Sequence, residues 1–205
     1  MRLQELKYGT DPLYAKRLRP GDDDAAGLGA LEYHIVFGPP AVKTQGVPAY
    51  IVPIEALYHG MLFPEAEPQM VLAPVGDAYG NGIRKAYLSR APIRKIVPGD
   101  LLYFYRSGSG TLTVIGVAED VTVLSDPAAI VQQAGTRTLY PYEVIEDLCA
   151  GGRDVLVIGF RQARVSKNPR PYGELKRRGV LTGPPRAVHG VSEEAAEWLA
   201  AMQRL

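Results

Sequence analysis

Pro98-Gly99-Asp100-Leu101-Leu102-Tyr103-Phe104-Tyr105-Arg106-Ser107 is the stretch on which the reading of the fold depends. Pro-Gly-Asp makes a turn. The residues after it, Leu101 to Arg106 (LLYFYR), are apolar and aromatic enough to form a buried strand. Side chains alternate between the two faces of a strand, so Tyr103 and Tyr105 share one face and Phe104 takes the other; Phe104 is expected in the core. Ser107-Gly108-Ser109-Gly110 supplies a flexible hairpin loop, and Thr111 to Val123 (TLTVIGVAEDVTV) returns as a long strand. Gly116, in the middle of that strand, marks a bulge or a close approach of backbone, the kind of kink with which barrels turn corners.

Working outward, Ile83 to Ser89 and Ala49 to Ile54 read as further strands, and Glu55 to Leu62 as a short helix stopped before Pro64. Leu31 to Phe37 (LEYHIVF) reads as a strand ended by Gly38-Pro39-Pro40, and residues 1–30 as a lead-in without a sustained period. Downstream, Asp126 is an N-cap with Pro127 at the first helical position, and that helix stops near Gly135. Pro141 to Ala150 forms a second helix ended by Gly151-Gly152; Asp154 to Arg164 is a strand, and Tyr172 to Arg178 a basic helical turn. Ser192 to Leu205 is a helix with Ser192 as its cap, acids in its first turn and Arg204 in its last. The fold class is therefore α+β: a small mixed or antiparallel sheet closed into a barrel, with helices inserted between strands and one at the end.

Composition sets the outer limits. The 205 residues are 46% hydrophobic and 22% charged, with 22 Gly and 17 Pro, which favours short strands and turns over a helical bundle. The single cysteine, Cys149, excludes a disulfide framework and a cysteine-rich zinc site, and its apolar surroundings predict a buried structural thiol. No stretch approaches the ~20 apolar residues that cross a bilayer, and the first residues lack the apolar segment of a signal peptide. The expected location is cytoplasmic, away from membranes. His34, His59 and His189 have no metal-ligand spacing, and neither a nucleophile elbow nor a phosphate-binding loop is present. Gly80-Asn81-Gly82 reads as a turn, Glu119-Asp120 as a strand edge, and Glu193-Glu194 as a helix N-terminus. These residues predict no metal, no cofactor and no enzymatic activity.

The net charge of +1, from 23 Lys+Arg and 22 Asp+Glu, conceals segregation. Between Ile83 and Ile96 lie Arg84, Lys85, Arg90, Arg94 and Lys95 with no acid. Between Phe160 and Arg186 lie Arg161, Arg164, Lys167, Arg170, Lys176, Arg177, Arg178 and Arg186 against Glu174 alone. Tyr87, Tyr103, Tyr105, Tyr140, Phe160 and Tyr172 are interleaved with these bases. Clustered cations attract phosphates by counterion release, and aromatic rings stack on bases.

The segments Gly80 to Ser89 and Ile93 to Ser107, with Val114 to Glu119, Gly135 to Tyr140, Leu156 to Arg161, Pro184-Pro185 and the opening His59 to Pro64, resemble the EVE/PUA-like domain, most closely the version fused behind GNAT-type acetyltransferase domains in prokaryotes. The resemblance covers residues 47–205, leaving 1–46 as an N-terminal arm, with Leu31 to Gln45 similar to the last strand of a preceding acetyltransferase domain. The acetyl-CoA signature is absent, so acetyl transfer is not expected. The resemblance implies a PUA-like pseudobarrel that binds RNA or DNA and accepts a base, including a modified one, in an aromatic pocket. Carried over by position, Asn81, Tyr87, Ser89, Tyr105, Arg106 and Arg137 are the pocket candidates, and Arg84 and Lys85 the phosphate contacts, joined by Arg161 and Arg164 from the second basic stretch. No tryptophan lies in the motif region, since Trp198 is in the last helix, so a tryptophan-walled cage is not expected. Two alternatives stand beside this reading. One is a regulatory or adaptor domain for an acetyltransferase-type or toxin-like partner. The other is an enzyme or sensor holding a nucleotide-like ligand, for which Glu119 is the nearest carboxylate.

Overall fold

The computed structural model describes residues 4–8, 11–15, 25, 27–39, 41–66 and 82–201. The lead-in contains two strands, β1 (Gln4–Tyr8) and β2 (Asp11–Ala15), which pair antiparallel as a sheet of their own. The segment expected as a strand at Leu31 to Phe37 is instead a helix, α1 (Ala30–Phe37). Local chemistry explains the difference. The Glu32 carboxylate accepts the Gly29 N–H at 3.2 Å, closing the first turn. The Tyr33 and Phe37 rings meet at 4.8 Å, the (i, i+4) spacing of a helix face. Gly38, at φ 87°, ends it.

The main sheet runs β4-β7-β6-β5-β3-β8. β5 (Leu101–Arg106) forms a hairpin with β6 (Thr111–Leu124), as expected, and β6 pairs antiparallel with β7 (Val155–Pro171), which extends well past the predicted Arg164. β4 (Arg84–Ser89) pairs antiparallel with β7. β3 (Ala49–Ile54) pairs parallel with β5, and the two-residue β8 (His189–Gly190) pairs antiparallel with β3 through Tyr50 and Ile51. The inserted helices are α2 (Ala56–Leu62), α3 (Pro127–Ala134), α4 (Tyr142–Cys149) and α5 (Tyr172–Arg177), with α6 (Glu193–Ala201) last. Asp126 caps α3 as read from sequence, its carboxylate accepting the Ala129 N–H at 2.8 Å.

Strand alternation sorts the apolar residues into three cores. Inside the curled sheet lie Val52, Ile54, Leu102, Phe104, Val114, Ile158 and Phe160, closed by Leu62 of α2 and by Phe63, which caps it. One outer face, with Ile51, Tyr103, Tyr105 and Ile115, is covered by Leu175 of α5 and by Ala195 and Leu199 of α6. The other, with Leu88, Val155 and Val157, is covered by Ile130 of α3 and by Ile145 and the buried thiol of Cys149 from α4. Gly116 is the close approach its position suggested: a Cβ there would stand 2.7 Å from the Phe160 ring. Among the described residues no strand ladder closes the curl. β4 and the outer half of β3 face each other across a seam, and the Tyr87 hydroxyl bridges it by donating to the Pro53 carbonyl at 2.7 Å.

Irregularities in β6 place polar groups. The register shifts between Phe104 and Tyr105 of β5, so Thr113 is an extra residue there; its hydroxyl reaches His59 of α2 at 2.7 Å and donates to the Phe104 carbonyl at 3.3 Å. A second shift leaves Glu119 unpaired against β7 and turns its carboxylate toward two arginines.

Candidate functional site

The residues singled out from sequence gather in several places rather than one. Tyr87 and Ser89 share the inner face of β4 at the seam, beside Tyr58 of α2 and Tyr140, whose rings lie 4.8 Å apart. Burial pushes the Tyr87 hydroxyl up to about 12 and raises Tyr140 as well. The opening among Ile54, Tyr58, Leu62, Tyr87, Leu139 and Tyr140 measures about 10 Å³, room for a single water. A tyrosine-walled place therefore exists, but it is filled by its own rings.

Tyr105 points the other way. It is buried in the outer core under α5, next to Tyr172, so it shares no pocket with Tyr87. Arg106 follows it, half-buried, at the end of β5. Arg137 stands on the opposite outer face. It is fixed by Asp120 at 3.3 Å and by the carbonyls of Ala134, at 3.1 Å, and Gln133. Gly159 makes room for Asp120, since a Cβ there would lie 2.3 Å from its carboxylate. Asn81 lies outside the described residues.

Of the phosphate candidates, Arg84 and Arg161 are brought together. They are direct partners across β4 and β7, and both contact Glu119: Arg84 Nε at 2.7 Å and Arg161 Nη1 at 3.5 Å. Two guanidiniums share one carboxylate, leaving a single positive charge. Arg164 is half-buried further along β7. Lys85 departs from its expected place on an exposed rim. It has no exposed surface, and its ammonium lies 5.7 Å above the Phe63 ring. Period-two alternation is the cause: Lys85 shares the inward face with Tyr87, while Arg84 points out. Burial lowers its pKa to about 8, with the Glu65 carboxylate opposing the shift. Glu65 accepts a hydrogen bond from the Gln162 amide, so Lys85, Glu65, Gln162, Phe63 and the His59–Thr113 pair make a polar end to an otherwise apolar interior.

A further concavity was not singled out from sequence as a pocket. A groove of about 520 Å³ runs along Pro48, Ala49 and Tyr50 of the β3 start, Gly190 and Val191, and the segment Pro92 to Lys95. Its floor is apolar, and Arg94 and Lys95 belong to its wall. The Tyr50 hydroxyl is held by the Asp100 carboxylate, which also accepts the Val97 N–H at 2.9 Å. Asp100 is the acid of the Pro-Gly-Asp turn from which the reading of the fold began, and burial raises its pKa.

No protein-family model matches the sequence, and no curated protein matches it. Among solved structures, the chain is similar to the ASCH protein from Zymomonas mobilis, with a TM-score of 0.55 and 12% identity over 75% of this chain and 94% of that one. A variant of the same protein aligns with a TM-score of 0.55 and 13% identity, covering 75% and 95% of the two chains. At such identity the likeness is one of fold. It shows that the six-stranded sheet with its helices shares the α+β fold of that ASCH protein, and it does not extend to the EVE branch or to an acetyltransferase fusion.

Proposed function

We propose that this PUA-like chain is a nucleic-acid-binding module, non-enzymatic, that holds phosphates on exposed cations and takes a base, including a modified one, against an aromatic wall, as the EVE resemblance implies. The observation that carries the reading is the exposure of the two basic stretches. Arg84, Arg90, Arg94 and Lys95 are exposed along the first, and Lys167, Lys176, Arg177, Arg178 and Arg186 along the second. Cations so placed release counterions when they meet a phosphate backbone, whatever the total charge of the chain. The PUA-like fold supports the reading, because its curled sheet leaves strand ends and connecting segments free to present such groups. An adaptor role beside an acetyltransferase-type partner has no observation in its favour.

Fluorescence anisotropy with single-stranded RNA and DNA oligonucleotides, plain and base-modified, tests the proposal. Binding is expected at low salt, with log affinity falling linearly against log salt at a slope of several units. Absence of binding to every oligonucleotide at low salt rejects the reading.

One observation favours a second reading. The buried Lys85, its pKa lowered to about 8 and its charge partner Glu65 bonded by Gln162, is the kind of perturbed group that gathers at functional sites, including those of small ligands. Binding of a nucleotide that is indifferent to salt and lost in Lys85→Met would select that reading over the first.

A further inference from the structure

We infer that the groove between the start of β3, β8 and the Pro92–Lys95 segment is the subsite for one nucleotide, its base on the apolar floor and its phosphate at Lys95 and Arg94. This rests on the nucleic-acid reading and assigns it a place that none of the sequence-selected pocket residues occupies. Size is the first support: about 520 Å³ falls within the range of small-ligand sites. The wall is the second. Pro48, Pro92, Ile93 and Val191 are rigid or branched apolar groups suited to a flat ring, and Tyr50 lies beneath them, held by Asp100. Charge is the third. Arg94 is already oriented, donating to the carbonyls of Ala91 and Ile93 at 3.1 Å and pairing with Asp154 at 3.2 Å, yet its side chain remains 44% exposed. Lys95, adjacent and exposed, has no hydrogen-bond or ion-pair partner among the described residues. Asp154 offsets part of the arginine, so Lys95 supplies the unopposed charge.

Gly190 gives the groove its depth. A Cβ at that position would touch the Tyr50 ring at 3.4 Å, ordinary contact at the edge of tight, and its backbone is not in the left-handed region. Gly190→Leu should therefore fold while filling the cleft.

The test compares wild type, Gly190→Leu, Lys95→Gln and Gln132→Ala, a control on the exposed side of α3 outside the groove and both basic stretches, using a labelled single-stranded tetranucleotide and each of the four 5′-nucleoside monophosphates. Gly190→Leu is expected to weaken both kinds of probe by about tenfold or more, as loss of a base-stacking platform does. Lys95→Gln should lower the oligonucleotide salt slope by about one. The control should leave monophosphate binding unchanged. If the wild type binds the tetranucleotide and both groove variants bind it equally well, the groove assignment is overturned while the nucleic-acid reading stands. If the wild type binds no probe at low salt, both fall. Should Gly190→Leu not fold, Lys95→Gln and Arg94→Gln carry the same comparison.

Discussion

Lys85 pays for its place inside the curled sheet. Its ammonium has lost all exposed surface, and burial brings the folded-state pKa down to about 8, against ~10.4 for a lysine in an unfolded chain. Between those two values the unfolded chain holds a proton that the folded chain has released, so stability rises with pH across that window, and the penalty is complete below pH 8. Thermal melts from pH 7 to 9.5 should show that rise, and Lys85→Met should abolish it while stabilising the protein at pH 7 by up to about 3 kcal/mol. A flat wild-type profile would contradict the burial argument. Tyr105 carries a different lesson. As a pocket residue its loss would change base preference alone, but it is buried in the outer core beside Tyr172, and Tyr105→Ala should cost about 3–5 kcal/mol of stability in chemical denaturation. The sequence was legible for Phe104, whose alternation put it in the core, but Lys85 was misread as a phosphate contact although the same alternation gives it the inward face of Tyr87. It was not legible for pocket membership, because period two assigns a side chain to a face but does not tell which face helices will cover.

At the scale of elements, the strands around the Pro-Gly-Asp turn were readable because their apolar runs are bounded by Gly, Pro and Asp. α1 was not. Leu31 to Phe37 is rich in aromatic and β-branched residues, and the deciding facts are a carboxylate on the Gly29 N–H and rings meeting four residues apart. The bulges were also hidden, Gly116 being their one hint, since a register shift depends on the partner strand. Their effect is measurable. Glu119 stands between Arg84 and Arg161, which face each other across β4 and β7. Like charges directly opposite are unfavourable. Glu119→Gln should therefore destabilise by about 1–2 kcal/mol, and more in low salt than in high salt because exposed Arg84 is screened. A loss independent of salt would mean that the carboxylate acts only by filling space.

At the scale of the whole molecule, the described residues form a main sheet with three cores and one unlaced seam, beside the separate β1–β2 pair. Each face of the sheet is packed, which is why so few of its aromatic rings are free to meet a ligand. Across the seam, the Tyr87 hydroxyl on the Pro53 carbonyl takes the place of a strand ladder. Tyr87→Phe should cost about 1–2 kcal/mol through the unsatisfied carbonyl. The raised pKa of that phenol, about 12 against ~10 when unfolded, means that stability is full below pH 10 and falls between pH 10 and 12. The variant should lose part of that alkaline fall, and an unchanged alkaline melt would assign it to the other phenols that burial raises, Tyr50, Tyr105 and Tyr140.

The parallel pairing of β3 with β5 also sets an order of events in time. The β5–β6 hairpin closes through the short loop Ser107 to Gly110, and β7 can zip onto it, whereas β3 reaches β5 only after everything from Glu55 to Asp100 has been looped out. Closing that long loop spends chain entropy before any contact compensates it, so the last step of folding is the docking of β3 onto a β5–β6–β7 nucleus. Conservative truncations in β6, such as Val114→Ala, should slow folding, while Val52→Ala in β3 should chiefly speed unfolding.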